Sequence, residues 1–156
     1  MTLGGSAMDI RYARDNDLEF LIAGLQDNRA IERRREDQRA ASSADIAELR
    51  QAIREGTIRV LEDEGEPVAF LYFRTDFEVL YIRGLFFWID LVYVREDYRR
   101  RGLGRRLYED ALTIAQERGL ERVVVDVFEA NDGSRRFHGQ LGFEPVYTIY
   151  QRPVRR

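Results

Sequence analysis

A chain of 156 residues has the length of one domain, and two independently folded domains would be cramped in it. Hydrophobic residues make up 44% and charged residues 34%, with nine Phe, eight Tyr and one Trp, a mixture that supports a core and excludes a disordered chain. The net charge of −3 argues against general nucleic-acid binding, the lack of Cys excludes disulfides and thiolate chemistry, and a single histidine, His138, excludes His-rich metal sites.

Residues 1–8, Met-Thr-Leu-Gly-Gly-Ser-Ala-Met, lack the basic start and apolar run of a secretion signal and read as a leader or tag remnant. No 18-residue apolar run follows, so neither a membrane span nor a membrane partner is expected, and the cytoplasm is the expected location. The single domain is expected over residues 9–152. Residues 9–13 alternate and read as a strand. Asp15 or Asn16 can cap a helix carrying Leu18, Leu21, Ile22 and Leu25. Residues 28–41 carry mixed charges and read as a solvated helix or loop. Ser42 or Ser43 starts a second helix through Ile46, Leu49 and Ile53, which Gly56 ends.

Residues 57–61 and 68–73 read as an antiparallel hairpin around a polar turn. Residues 85–94 form a long apolar run, expected as a central strand covered on both faces. Residues 102–118 read as a helix with Leu103, Leu107, Ala111, Leu112 and Ala115 on one side, stopped at Gly119. Residues 123–127 read as a buried strand, 134–141 as a short helix, and 143–151 as an alternating strand that closes the sheet. Helices between the later strands imply crossover connections, hence a mixed α/β sheet with helices on its faces.

The chemistry concentrates in Arg99-Arg100-Arg101-Gly102-Leu103-Gly104-Arg105-Arg106. The segment follows a buried strand and opens a helix, where backbone amides lack internal partners and the helix dipole is positive. Gly102 and Gly104 let a bulky anion approach, and five Arg add charge, so a phosphate or pyrophosphate fits. It is no P-loop and no dinucleotide fingerprint, because the chain has no Lys and lacks the third glycine. The absence of Lys also means that no side-chain amine of the chain itself can be acylated.

This segment resembles the pyrophosphate loop of the GNAT superfamily of acetyl-CoA-dependent N-acetyltransferases, Arg/Gln-x-x-Gly-x-Gly/Ala. Downstream, Asn131-Asp132-Gly133-Ser134-Arg135-Arg136-Phe137-His138-Gly139-Gln140-Leu141-Gly142-Phe143 resembles the family's Asn-x-x-(Ser/Ala)-x-x-Phe-Tyr-x-x-Leu-Gly-Phe segment. The resemblance implies the acyl-CoA N-acyltransferase fold: a mixed, mostly antiparallel sheet of six or seven strands with helices on both faces. It implies acetyl-CoA as co-substrate, with no metal. The amides of Arg100, Arg101, Gly102, Leu103, Gly104 and Arg105, behind Arg99, would hold the CoA pyrophosphate. The strand end Val92-Tyr93-Val94 would take the pantetheine arm, with main-chain pairing at Val92 and Val94. Asn131, Ser134 and Phe137 would line the arm's other side.

Transfer to an amine needs a base, because a free alkylamine titrates near pH 10, and an acid for the departing thiolate. Asp90, a carboxylate in an otherwise apolar strand, is the candidate base. The family usually presents Tyr where this chain has His138, and imidazole is the candidate acid in its place. For the acceptor, the resemblance points to residues 25–41, 75–78 and 86–90, with Tyr147 and Tyr150. Asp76, Glu78 and Asp90 beside Phe77, Phe87 and Trp88 suit a cationic amine, and a small-molecule primary amine is the expected acceptor. A protein N-terminus or Lys, and a non-catalytic acyl-CoA-binding module, are the alternatives. No nucleic-acid partner is expected. A homodimer through residues 79–88 or 146–150 is one reading, and an intramolecular core explains them equally.

Overall fold

The structure, a computed structural model, describes residues 8–75 and 84–154. One sheet holds five strands, β1 (Asp9–Tyr12), β2 (Ile58–Asp63), β3 (Glu66–Arg74), β4 (Phe86–Val94) and β5 (Arg122–Val125), in that order. The first three pairings are antiparallel and β4–β5 is parallel. Glu64 and Gly65 turn the β2–β3 hairpin, both with positive φ (51° and 84°), the two-residue geometry that matches strand twist. The parallel pair needs a crossover, which α4 (Leu103–Glu117) supplies.

β3 is buried on both faces. Phe70 and Tyr72 join Ile58, Val60, Leu91 and Tyr93 in a cluster with Leu21 of α1 (Leu18–Ile31) and Leu49 and Ala52 of α3 (Ser43–Glu55). On the other face Phe73 stacks on Phe87 with centroids 4.1 Å apart. Arg59 points that way and holds Asp110 of α4 at 2.7 and 3.0 Å. Arg118, just past α4, lies over the Phe73 ring at 5.3 Å. Helices therefore cover both faces, as expected.

Local signals explain the helix ends. Ser42 caps α3 by accepting from the Asp45 amide at 3.1 Å, while Asp45 accepts from the Ser42 amide at 2.7 Å, a reciprocal capping box. Gly56 (φ 65°) ends the helix in the left-handed conformation. The charged stretch 28–41 contains the end of α1 and the single turn α2 (Glu36–Arg39). Before α1, Arg11 of β1 grips the Asp17 carboxylate at 2.8 and 3.0 Å and Glu62 of β2 at 2.6 Å, and the Arg14 amide adds a bond to Asp17 at 2.7 Å. Gly24 brings α1 onto the sheet: a Cβ there would collide with the Phe70 ring and lie 2.7 Å from the Tyr93 ring. Beside it, Tyr93 Oη donates to Asp27 at 2.7 Å.

The described residues group into two units, 8–75 with 84–126, and 127–154. In the second, α5 (Asp132–Gln140) is the only helix among the described residues. Among the described residues the sheet has five strands, close to the six or seven expected. One expectation is corrected: residues 143–151 form no strand. Their alternation supplies a face but no ladder, and Val146, Ile149 and Tyr150 are 73%, 76% and 92% exposed. A strand is stable only with a hydrogen-bonded neighbour, so periodicity alone overstated this element. Residues 1–7 of the expected leader lie outside the described residues.

Candidate active site

β4 ends at Val94 and a short 3-10 turn, Glu96–Tyr98, follows. Arg99 is extended, Arg100 has φ 61° and Gly102 φ 77°. Left-handed residues interspersed in a turn direct successive amides into one concavity, a recurrent anion nest. The Arg106 amide makes the first helical bond of α4, to the Gly102 carbonyl at 3.1 Å. The amides of Leu103, Gly104 and Arg105 therefore lie in the turn where a helix offers no internal acceptor. No acidic side chain occupies that first turn.

The arginines divide by role. Arg99 Nε donates to the Val94 carbonyl at 3.0 Å. Arg101 lies over the Tyr98 ring at 4.8 Å, and Tyr98 Oη donates to Asp63 at 2.9 Å. Arg106 donates to the Met8 carbonyl at 3.0 Å. These three brace the loop; Arg100 and Arg105, exposed like Arg99 and Arg101, are the two left facing solvent without a bracing contact among the described residues. Their sequence run alone does not separate bracing from ligand-facing arginines.

The loop leads back to a fork in the sheet. β5 pairs with β4 only from Phe86↔Arg122 to Ile89↔Val125, and among the described residues no strand continues along that side of β4. On the other side the Arg95 amide donates to the Val68 carbonyl at 2.9 Å, and residues 91, 93 and 95 face 72, 70 and 68. Antiparallel alternation then turns the main chain of Leu91 and Tyr93 toward β3 and that of Val92 and Val94 toward the open edge.

Asp90 sits at the point of the fork. The β3–β4 register skips it: Tyr72 pairs with Leu91 and Phe73 with Ile89, so Asp90 is a bulge residue that bends the strand. Continuing the parallel register would set Asp90 opposite Asp126, two like charges side by side, which opposes further pairing. The Asp90 side chain is 37% exposed and lies 3.7 Å from Arg74 Nη2. Its carboxyl is held above the usual range, by burial first; Arg74 pulls the other way, and the charges of Glu48 and Asp126 add to the rise. Arg74 itself is bonded to Glu48 of α3, which also accepts from Tyr72 Oη at 3.1 Å.

Glu48, Arg74 and Asp126 were not among the expected site residues. Asp126 carried the signal used for Asp90, a carboxylate ending an apolar strand. Glu48 and Arg74 carried none, because only the fold brings α3 beside these strand ends.

The second motif lies in the other unit. Asn131 caps α5, its side chain accepting from the Ser134 amide at 3.0 Å. His138 is 9% exposed. Its ring meets Phe137 and Phe143 edge-on at 5.4 and 5.5 Å, and Nδ1 donates to the Ser134 carbonyl at 2.7 Å. That bond puts the proton of the neutral ring on Nδ1 and makes Nε2 an acceptor. Burial lowers the His138 pKa, against the smaller opposing effect of the Ser134 carbonyl.

Of the expected acceptor residues, Phe87 is fully buried in the core and Asp76, Phe77 and Glu78 lie outside the described residues, as do residues 79–83 of the expected dimer stretch. Tyr147 and Tyr150 are 45% and 92% exposed. Among the described residues there is no cluster of three or more His, Asp or Glu that could hold a metal. No helix among them is long and apolar enough to cross a membrane.

Known proteins share this architecture. A GCN5-related N-acetyltransferase from Ralstonia eutropha JMP134 is 21% identical, with TM-score 0.76, over 95% of this chain and 99% of that one. The aminoglycoside N-acetyltransferase AAC(6')-Iy, solved in complex with CoA, is 19% identical with TM-score 0.74 over 100% of both chains. A protein described as a transcriptional regulator from Bacillus halodurans C-125 is 22% identical with TM-score 0.73, over 95% of this chain and 100% of that one. At these identities the likeness is one of fold. The family model described as Acetyltransferase (GNAT) family matches residues 11–143, a span holding both the loop after β4 and the whole of α5, and the chain belongs to that family.

Proposed function

We infer that the enzyme transfers the acetyl group of acetyl-CoA to a primary amine of a small molecule. The observation that carries this reading is the open β4 edge running directly into a helix start with unengaged first-turn amides. An extended amide-bearing arm can pair at Val92 and Val94 as an added strand would, while a pyrophosphate sits on the amides from Arg100 to Arg105. Acetyl-CoA supplies an activated thioester carbonyl. The chain supplies the Val92 N–H, directed to the edge where that carbonyl's oxygen gains charge, and Asp90, which takes the amine proton through water.

The small-molecule acceptor is supported by the aminoglycoside enzyme that shares the fold and by the carboxylates at the fork, which favour a cationic substrate. His138 has a different part in this reading. Donation from Nε2 requires the imidazolium, which burial disfavours, so His138 serves α5 by packing. His138→Phe is expected to keep turnover within about threefold at pH 7.5, and a loss of about 10²-fold, the scale of a missing general acid, would restore the acid role.

The reading is tested by calorimetric titration with acetyl-CoA and, as control anion, ATP. Micromolar acetyl-CoA binding, at least about tenfold tighter than ATP, is expected. Gly102→Val, which puts a branched side chain at φ 77°, should weaken acetyl-CoA binding by about tenfold, since the left-handed conformation costs about 1–2 kcal/mol there. Equal binding of the two ligands would reduce the loop to a general anion site. Tight acetyl-CoA binding with no turnover on an amine panel would leave a binding module.

A further inference from the structure

We propose that Glu48 and Arg74 are positioning residues for Asp90: Glu48 claims the Arg74 guanidinium and so keeps it from closing on the Asp90 carboxylate, which stays available as a proton acceptor. The inference rests on the reading of Asp90 as the base. One guanidinium stands between two carboxylates carried by different elements. Arg74 Nη2 bonds Glu48 Oε1, and the same nitrogen is 3.7 Å from Asp90 Oδ2, beyond a hydrogen bond. The division is fixed from the α3 side. Tyr72 Oη donates to the same Glu48 oxygen at 3.1 Å, and the guanidinium lies over the Tyr72 ring at 5.4 Å.

Among the described residues, the charged and titratable groups around Asp90 are Glu48 on α3, Tyr72 and Arg74 on β3, and Asp126 just past β5. Each extreme would disable the site. A direct bidentate arginine pair would lock Asp90 as an inert anion. With no cation near, burial and Asp126 would push its pKa higher still and leave less of it ionised to accept. Held by Glu48, Arg74 opposes the rise in the Asp90 pKa without closing a hydrogen bond on its oxygens.

The test reads Asp90 directly. In protein labelled with 13C at the Asp carboxyls, the Asp90 resonance is assigned by its loss in Asp90→Asn and followed by NMR against pH. Glu48→Gln keeps an acceptor oxygen for Tyr72 but removes the negative charge that holds Arg74, so the Asp90 midpoint should fall by about one pH unit. Arg74→Met should raise it by about one pH unit. In the Arg74→Met background, adding Glu48→Gln should move it little, because the partner through which Glu48 acts is gone. The acidic limb of the kcat/KM profile should follow the same order.

Unmoved midpoints in both single variants would overturn the proposal. So would an undiminished effect of Glu48→Gln in the Arg74→Met background, which would make Glu48 a bare charge. Normal turnover by Asp90→Asn would remove the base reading instead, and the titrations would still judge the pair.

Discussion

Asp90→Asn should lower kcat by about 10²-fold or more at pH 7.5, the scale of a lost general base, while the Kd for acetyl-CoA stays within about twofold. The separation is expected because Asp90 lies where β4 and β5 part, whereas the amides assigned to the co-substrate belong to Val92, Val94 and the α4 start. Asparagine keeps the size and one acceptor oxygen, so a fall in kcat reports the carboxylate. The profile carries a second signature. The Asp90 carboxyl is held above its usual range and must be ionised to accept a proton. Wild-type activity should therefore rise with pH through that elevated pKa, and the step should vanish in the variant. Turnover by Asp90→Asn within threefold of wild type would take Asp90 out of the mechanism.

Asp17→Ala should produce the largest loss of stability, about 3 kcal/mol, with Tm lower by about 6–12 °C for a chain of this size. Asp17 is 2% exposed and joins β1 to the start of α1 through Arg11 and the Arg14 amide. Removing it strands a half-buried guanidinium. Arg11 keeps Glu62 at 2.6 Å, which places the effect at the low end of the range for broken buried pairs. Burial alone would raise the Asp17 pKa, but the Arg11 and Arg14 bonds outweigh it and hold the carboxyl below its usual value.

A depressed carboxylate contributes stability that is present above its unfolded pKa, about 3.9, and lost as pH falls through its folded value. Asp45, held down chiefly by Arg29, adds a loss of the same sign. His138, lowered by burial, contributes earlier, because below about pH 6.5 the unfolded chain takes up a proton that the folded ring resists. Wild-type stability should decline gently below pH 6.5 and steeply below pH 4, and Asp17→Asn should flatten the steep limb. Thermal unfolding at stepped pH measures both. A steep limb that is unchanged in Asp17→Asn would assign acid sensitivity elsewhere.

What could be read from the chain was what short segments determine. The Gly102-x-Gly104 helix start, the Ser42 cap, the Gly56 stop and the Glu64-Gly65 hairpin are each set by a few neighbouring residues, and each stands where the local rules place it. The chemistry at the fork was half legible. An aspartate in an apolar strand marked Asp90, but a bulge depends on the register of a second strand, which no local pattern records. The company of Asp90 comes from positions 48, 74 and 126, brought together by three separate elements. His138 could be noticed as a departure from the family pattern, yet its inward turn depends on Ser134 and Phe143. Residues 143–151 misled because alternation describes a strand's two faces and says nothing about its neighbours.

The fork in the sheet also bears on edge-to-edge contact with other copies of the chain. A stretch of β4 that no described strand covers is an invitation to any extended chain, including a strand of another molecule seeking edge-to-edge self-association. The entrance is guarded by charge: Asp90 and Asp126 stand at its apex, and the Arg99 guanidinium covers the Val94 carbonyl at its far end. Charged side chains at strand edges are the usual gatekeepers against aggregation. A foreign strand would have to desolvate two carboxylates and displace an arginine, whereas a slender flexible ligand that brings its own phosphates meets positive charge where it anchors. In the proposed reading the same few residues would serve colloidal stability as well as recognition, and neutralising them together is expected to turn an enzyme's opening into a sticky edge.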